Sequence, residues 1–407
     1  MIKIINPNYI YQDGFILENH AIAFDKSIIK IASLAELTKL FPDAQLVTLP
    51  TNSIIMPGLI NAHVHLEFSA NKETLEYGDF LKWLYSVIGN RDELIGSCDT
   101  TCMKKAAQMM LESGITTYGA VSSYGMDLDT AASSAQNVVF FNELIGSQAT
   151  MADPLFNDFT ARLDASKSIK REGFYPAVAI HSPYSVHPIL IKKALQMVKD
   201  EKLPLSAHFL ESPAEKKWLE QSEGDFKKFF ADFLKQEKAV SDAKEFLTHF
   251  TNVPTLMTHV VQAGNEELEI LSKSKHTVIH CPISNRLLGN GAIDLAELDK
   301  HNIRWICATD GLSSNYTLNL FEEMKIALFM HNGADLLPLA KRLLQSVTKD
   351  AAEALGLNTG EIKEGKMADM LVLELTSKPN EQLPLHLLLH GYNISKIYIN
   401  GKQVKGE

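Results

Sequence analysis

Short apolar runs alternate with amphipathic helical patterns through the middle of the chain. The predicted strands cover residues 54–64, 115–122, 137–143, 174–181, 203–209, 254–260, 276–281 and 303–309. The helical patterns between them cover residues 100–113, 153–171, 188–201, 266–273 and 318–330. Eight strands that alternate with helices over about 290 residues are typical of a (β/α)8 TIM barrel, an α/β fold. An open doubly wound sheet is the alternative.

The two ends of the chain show short strands and turns instead. Residues 1–55 contain several short apolar runs, and a hairpin is predicted about Asn400-Gly401, because this dipeptide favours a two-residue hairpin turn. Neither end is large enough to bury a core alone. We therefore predict one small composite β-sandwich from residues 1–55 and 352–407, and a barrel domain over residues 56–351.

A helical insertion over residues 211–250 follows the fifth predicted strand. Four phenylalanines recur there at the spacing of one helix face: Phe226, Phe229, Phe230 and Phe233. One hypothesis is that this face packs on the barrel. The other is a lid over the pocket, because the loops after barrel strands carry the active site.

The composition is that of a compact globular protein, with 45% hydrophobic and 22% charged residues. A net charge of −10 argues against a basic surface for nucleic acid, and no apolar run approaches the roughly 20 residues of a membrane span. Four cysteines in so long a chain do not make a disulfide framework, and no signal-peptide pattern precedes Pro7. We therefore predict a cytoplasmic protein with reduced thiols that binds neither nucleic acid nor membrane.

A His-x-His pair, His63 and His65, follows a Pro-Gly turn in the first strand of the predicted barrel. Side chains of a strand alternate between its faces, so the two imidazoles lie on the same side. Two imidazoles that close together suit a divalent transition metal.

Polar, chemically capable residues stand at the carboxyl ends of five predicted strands. They are His63 with His65, His181, His208 with Glu211, His259 and Asp310. A barrel directs these strand ends into a single mouth. A catalytic metal needs three or four protein ligands beside an open position for water. Three imidazoles and one carboxylate would supply them: His63, His65, His208 and Asp310.

The remaining strand-end residues are candidates for proton transfer. Glu211 could face the water or the substrate, and His259 could hydrogen-bond the water. Taken singly, each has a simpler interpretation: a histidine such as His181 at a strand end is more often structural, and Asp310 alone would be a turn residue. Their coincidence at one end of the barrel favours the catalytic interpretation.

Five ordered segments resemble the amidohydrolase superfamily, in its branch of cytosine, guanine and S-adenosylhomocysteine deaminases, often called chlorohydrolase-like. They are 57–65 (PGLINAHVH), 207–212 (AHFLES), 258–259 (TH), 280–285 (HCPISN) and 309–315 (TDGLSSN). The resemblance covers essentially the whole chain. Each segment alone is weak, and the ordered set is specific.

The resemblance implies roles for these residues. The metal ligands would be His63, His65, His208 and Asp310, with catalytic Glu211 as proton shuttle and His259 orienting the hydroxide. Asp310 would also share in proton transfer. The fourth strand, residues 177–182, has no lysine to hold a second metal, so the resemblance implies one divalent ion per chain. Three nitrogens and one oxygen suit zinc and Fe(II) equally.

Within this branch the chain is most similar to the 6-aminodeoxyfutalosine deaminases of the futalosine route to menaquinone. This implies an aminopurine nucleoside substrate that carries a benzoate, with His181 and Trp83 as substrate contacts beside Glu211. Adenosylhomocysteine deaminases carry arginines after the third strand, and residues 142–160 contain none. Arg91 and Arg286 are the candidates for binding the substrate carboxylate.

Several alternatives stay open. Another aminopurine nucleoside (adenosine, S-adenosylhomocysteine or methylthioadenosine), guanine or a chlorotriazine could be the substrate. An amide-ring hydrolase would need two metals, and a metal-containing binding protein would need no proton shuttle. The sequence is compatible with a homodimer without determining the oligomeric state.

Overall fold

The computed structural model describes residues 1–70 and 73–406; residues 71, 72 and 407, which the predicted domain ranges include, lie outside the described residues. The strands are β1 (Lys3–Ile5), β2 (Tyr9–Gln12), β3 (Phe15–Glu18), β4 (Ala21–Phe24), β5 (Ile28–Ala32), β6 (Gln45–Val47), β7 (Ser53–Pro57), β8 (Leu59–Val64), β9 (Ile115–Ser122), β10 (Asn137–Leu144), β11 (Phe174–Ile180), β12 (Leu205–Phe209), β13 (Leu256–His259), β14 (Thr277–His280), β15 (Arg304–Cys307), β16 (Met370–Glu374), β17 (Asn393–Ile399) and β18 (Lys402–Lys405).

The helices include the five that the periodicity predicts. They are α1 (Leu34–Leu40), α2 (Phe80–Gly89), α3 (Arg91–Ser97), α4 (Thr100–Glu112), α5 (Leu128–Ser133), α6 (Ala152–Ser168), α7 (Pro188–Glu201), α8 (Pro213–Gln221), α9 (Asp225–Leu234), α10 (Ala243–His249), α11 (Asn265–Lys273), α12 (Pro282–Leu287), α13 (Leu295–Lys300), α14 (Leu320–Met330), α15 (Leu336–Ser346), α16 (Lys349–Leu355) and α17 (Leu383–His390). Among the described residues, no helix combines the length and the apolar character that crossing a membrane requires.

The strands β8 to β15 form one parallel sheet in which every strand lies beside its neighbour in the chain. A doubly wound sheet reverses its strand order at a switch point, and this sheet does not. The first and last strands also approach each other: the backbone N–H of Asp310 donates to the carbonyl of His63 (3.1 Å). Beside it, the Asn61 side chain accepts from the Thr309 N–H (3.1 Å). The predicted (β/α)8 TIM barrel is confirmed.

Alternation along the barrel strands separates two cores. Residues that point inward fill the barrel, as Ile60, Ala62 and Phe141 do, and residues that point outward pack against the surrounding helices. His63 stands at odd spacings from Ile60 and Ala62, so strict alternation would turn it outward; the register of β8 with β9 shifts between Asn61 and Val64, and this irregularity lets His63 reach the barrel mouth. The barrel therefore presents its polar residues at the carboxyl ends of the strands and its apolar residues below them.

The predicted strand over residues 54–64 is two strands, β7 and β8, which belong to different sheets. The break falls at Gly58, where a Cβ would collide with the side chain of Thr116. The backbone can therefore turn closely past β9 only with glycine there. A continuous apolar run concealed this division, because periodicity does not report which sheet a strand joins.

Strands from both ends of the chain share a six-stranded sheet, in the order β18-β17-β16-β7-β2-β3, beside a four-stranded sheet, β5-β4-β1-β6. Their common core contains Ile10 and Ile55 from one end and Met370 and Tyr398 from the other. The predicted hairpin is confirmed, because β17 and β18 pair antiparallel around Asn400-Gly401. The domain boundaries after residues 55 and 351 stay a prediction.

Candidate active site

Three imidazoles and one carboxylate from β8, β12 and the end of β15 meet at the mouth of the barrel. The Nε2 atoms of His65 and His208 lie 3.3 Å apart. The Oδ1 atom of Asp310 lies 3.7 Å from Nε2 of His63 and 3.7 Å from Nε2 of His65. The predicted ligand set therefore converges on one small volume, although its members span most of the chain.

Hydrogen bonding determines which ring nitrogens are free. The Nδ1–H of His208 donates to the carbonyl of His181 (2.9 Å), which leaves the lone pair of His208 on Nε2. The buried Nε2 of His63 has no hydrogen-bond partner among the described residues. Burial lowers the pKa of His63 and, more strongly, that of His208, so both rings are neutral donors of lone pairs. These atoms fit a divalent ion with bonds of about 2.0–2.2 Å.

Asp310 is held in place by its own loop and by the segment after β14. Its Oδ2 accepts from the hydroxyls of Ser284 and Ser314, each at 2.8 Å, while Oδ1 accepts from the backbone N–H of Gly311 (2.8 Å). Burial raises the pKa of Asp310, but the imidazoles of His63 and His65 outweigh it and bring that pKa well below its usual range. Asp310 therefore stays a carboxylate that faces the histidines.

Glu211 and His259 form a second pair beside this cluster. The Nδ1–H of His259 donates to Oδ1 of Asn285 (2.9 Å), so the free lone pair of His259 is on Nε2, 3.7 Å from Oε2 of Glu211. Asn290 donates to the other oxygen of Glu211 (3.1 Å). Burial raises the pKa of Glu211 well above its usual range and lowers the pKa of His259 to about 4. The pair thus combines a proton donor with a neutral acceptor.

Glu215 fixes the turn that carries Glu211. Its carboxylate accepts from the backbone N–H groups of Leu210 (3.1 Å) and Glu211 (2.7 Å). Burial raises the pKa of Glu215 to about 7. Glu215 is not among the residues predicted from the sequence, where its only signal is its place in the first turn of α8, after the N-cap Ser212.

An apolar cavity of about 620 Å³ opens beside the polar cluster. Its wall comes from α2, from the segment after β10 and from α9, and its members include Trp83, Ile145, Met151, Phe229, Phe230 and Phe233. The indole N–H of Trp83 donates to the carbonyl of Ser313 (2.8 Å), which ties α2 to the loop after Asp310. A planar, partly apolar ligand could therefore lie against this wall with one end at the polar cluster.

Most of the predicted substrate contacts line this cavity, and one does not. His181, Trp83 and Arg91 line it, and the guanidinium of Arg91 lies 5.0 Å from the ring centre of Tyr124. Arg286 is exposed on α12 and lies outside the lining. Of the two candidates for a carboxylate contact, the fold brings only Arg91 to the cavity.

Helix α9 has features of both predicted roles of the insertion, packing and covering the pocket. Phe226 and Phe230 are fully buried, and Phe230 stacks on Trp218 with ring centres 4.9 Å apart. Phe229 and Phe233 continue along the cavity, and Phe233 is 49% exposed. The helix is thus packed on its neighbours and also covers one side of the pocket.

Glu143 is a further residue of the site that the sequence patterns do not single out. It lines the cavity near His181 and His208, and these three residues form a second group with spacing suited to a metal. In the sequence Glu143 lies in an ordinary strand pattern, and only the barrel shows that it points into the pocket.

Comparisons with known proteins give the family. The model of the Amidohydrolase family matches residues 54–404. The chain is 46% identical to the aminodeoxyfutalosine deaminase of Nitratiruptor sp. over 99% of both chains, and 36% identical to an adenosine deaminase of Helicobacter pylori over 96% of this chain and 95% of the relative. The crystal structure of Helicobacter pylori aminofutalosine deaminase in complex with methylthio-coformycin superposes with a TM-score of 0.93 at 34% identity, covering 99% of this chain and all of the other. This chain belongs to the amidohydrolase family.

Proposed function

We propose that the protein is a metal-dependent deaminase that converts 6-aminodeoxyfutalosine to futalosine and ammonia, on the futalosine route to menaquinone. The observation that carries this proposal is that Glu211 and the four proposed metal ligands lie beside an apolar cavity. Among the described residues, Arg91 is the only lysine or arginine that lines this cavity. The similarity to an aminodeoxyfutalosine deaminase over 99% of both chains supports it.

We propose His63, His65, His208 and Asp310 as the ligands of one zinc or Fe(II) ion. Such an ion supplies Lewis acidity and lowers the pKa of water toward neutrality. The roles of the protein residues follow from their hydrogen bonds. The two serines on Asp310 and the carbonyl on His208 fix the orientation of these ligands.

Glu211 and His259 would manage the protons. Water adds at C6 of the aminopurine, and Glu211 donates its proton to the adjacent ring nitrogen, which prevents negative charge from building up on the ring. His259 presents a free Nε2 that can accept a hydrogen bond from the attacking water. The water gives one proton to Asp310, which passes it to the exocyclic amine, and the C6–N bond breaks to release ammonia. The remaining hydroxyl proton returns to Glu211 as the oxygen becomes the C6 carbonyl.

Arg91 would bind the benzoate carboxylate of the substrate. It lines the cavity, over the ring of Tyr124, and a guanidinium pairs well with a carboxylate. The cavity would then bind the reacting amine at the metal ligands and the benzoate at Arg91. Location in the cytoplasm and assembly as a homodimer are further parts of the proposal, which cell fractionation and sedimentation would test.

An ammonia-release assay of metal-loaded protein tests the proposal. We expect kcat/KM for 6-aminodeoxyfutalosine to exceed that for adenosine by about 10- to 100-fold, because a charge-assisted hydrogen bond contributes about 1.5–3 kcal/mol. S-adenosylhomocysteine and methylthioadenosine complete the series. A preference for adenosine would reject the assigned substrate, and no ammonia from any aminopurine would reject the reaction.

A further inference from the structure

Glu143 places an unused hydrogen-bond acceptor in the wall of the cavity. It stands at the end of β10 and is 1% exposed. Its Oε2 accepts from the hydroxyl of Ser123 (2.6 Å), which orients the carboxylate. Its Oε1 is buried and has no hydrogen-bond partner among the described residues. Because a buried acceptor without a donor is costly, this atom points to a ligand that supplies one.

A second metal site does not explain Glu143. The distance from Oε1 to Nδ1 of His208 is 3.8 Å, and the nearby His181 completes a group of three candidate ligands. However, Nδ1 of His208 carries a hydrogen that it donates to the carbonyl of His181, and its Nε2 faces His65. His208 therefore has no lone pair to offer on the side of Glu143. The 3.8 Å separation is also too long for a hydrogen bond.

The substrate's own groups narrow the choice of donor. A carboxylate only accepts hydrogen bonds, so it cannot pair with the unprotonated ring nitrogens of a purine or with the benzoate. The exocyclic amine belongs at C6, beside Glu211 and His259. Glu143 lies on the Nδ1 side of His208, away from the Nε2 atoms that would hold the metal. The donors that remain for this position are the hydroxyls of the sugar.

We propose that Glu143 is a specificity-determining residue that accepts a hydrogen bond from a ribose hydroxyl of the nucleoside. This inference rests on the proposed function. Ser123 acts as a positioning residue, because its hydroxyl occupies Oε2 and leaves Oε1 for the sugar. The site would then bind three parts of one ligand: the amine at the metal ligands, the ribose at Glu143 and the carboxylate at Arg91.

The test compares adenosine with 2′-deoxy-, 3′-deoxy- and 2′,3′-dideoxyadenosine, using wild type, Glu143→Ala and Glu143→Gln. For wild type we expect kcat/KM to fall at least about tenfold when the recognised hydroxyl is removed. For Glu143→Ala we expect a similar fall with adenosine, and little further fall with the dideoxy compound. The loss should appear mainly in KM, and bound metal should remain at the wild-type level. Ser123→Ala should reproduce the pattern with a smaller amplitude.

Equal losses for adenosine and the dideoxy compound in both Glu143 variants would overturn the inference, because Glu143 would then act through His208. A wild-type enzyme indifferent to the sugar hydroxyls would overturn it without needing a folded variant. The proposed function survives both of these results, provided that wild type releases ammonia. Wild-type protein that releases ammonia from none of the nucleosides, including 6-aminodeoxyfutalosine, would instead reject the proposed function and this inference with it.

Discussion

The two ends of the pocket are built in different ways. The polar end consists of residues at strand termini, and partners behind them hold each side chain: two serines for Asp310, Asn285 for His259 and a backbone carbonyl for His208. The apolar end consists of helices and loops outside the barrel sheet, namely α2, α9 and the segment after β10. The barrel strands thus carry the candidate catalytic residues, and the helices and loops outside the sheet form the apolar wall that a ligand would contact.

Removing a ligand from the polar end should have the largest effect. We expect His208→Ala to lose the bound metal and to reduce ammonia release to the background of the assay, because it removes one of the four proposed donors and leaves the other three without their arrangement around the ion. Metal analysis and turnover are measured on the same preparation. Chelation of wild type should likewise lower both its activity and its thermal midpoint. The control is His390→Ala at the exposed end of α17; full metal content in His208→Ala would contradict the ligand set.

Glu211→Gln separates proton transfer from metal binding. We expect kcat to fall by about 10²- to 10⁴-fold, because the amide cannot deliver the proton that the ring nitrogen needs. The metal content should stay at the wild-type level, since Glu211 is not among the proposed ligands. The exposed Glu223→Gln, in the same insertion, is the matched control. A variant with near-normal turnover would remove Glu211 from the mechanism.

Phe230 and Phe233 test whether one helix of the apolar end serves both packing and binding. Phe230→Ala should lower the free energy of unfolding by about 3–5 kcal/mol, because it leaves a cavity against Trp218. Phe233→Ala should cost less than about 1 kcal/mol, since the ring is 49% exposed, and should instead raise KM. Chemical denaturation and steady-state kinetics measure the two effects. Equal destabilisation by both variants would show that α9 has no separate binding face.

Arg91→Gln tests the role of the arginine that lines the cavity. We expect kcat/KM for 6-aminodeoxyfutalosine to fall about 10- to 100-fold and that for adenosine to change little, because only the former carries a carboxylate. Arg286→Gln, on the exposed face of α12, should alter neither value. The prediction fails if both substrates lose equally in Arg91→Gln, or if Arg286→Gln shows the selective loss.

Glu215→Gln should change how stability depends on pH. The folded protein holds this proton with a pKa of about 7, against 4.5 for an ordinary glutamate, so protonation favours the folded state. Its contribution to stability is complete below pH 4.5 and is lost as pH rises to about 7. We expect the loss of unfolding free energy between pH 5 and 8 to shrink by about 1–3 kcal/mol in the variant. The exposed Glu220→Gln on the same helix should leave the loss as in wild type.

Local patterns were enough to predict the barrel and most of the polar end. Alternation along β8 places His63 and His65 on one face, and the ends of parallel strands must share one edge. The confirmed hairpin at Asn400-Gly401 depends on a dipeptide whose turn preference is local. The strands, the histidine pair and the hairpin each follow from a few consecutive residues, and the barrel follows from the number and order of the strands.

The apolar end was less predictable because it depends on contacts between distant segments. Nothing near Arg91 or Arg286 in the sequence distinguishes the arginine at the cavity from the arginine outside it. The split of residues 54–64 at Gly58 depends on the approach of Thr116, which lies in the next strand. Glu143 lies in an ordinary strand pattern. Only the structure shows that its Oε1 is buried near His208 without a hydrogen-bond partner among the described residues.

The sequence by itself determined the strand order, the residues at the strand ends and hence the kind of chemistry. Strands and helices can be located in a sequence because their hydrophobic positions repeat at short, regular spacings. Only the tertiary structure decided which nitrogens of His208 and His259 are free, which of the two arginines lines the cavity and which acceptors lack donors. Those properties depend on the distances between atoms that chain closure brings together, and no local pattern encodes them.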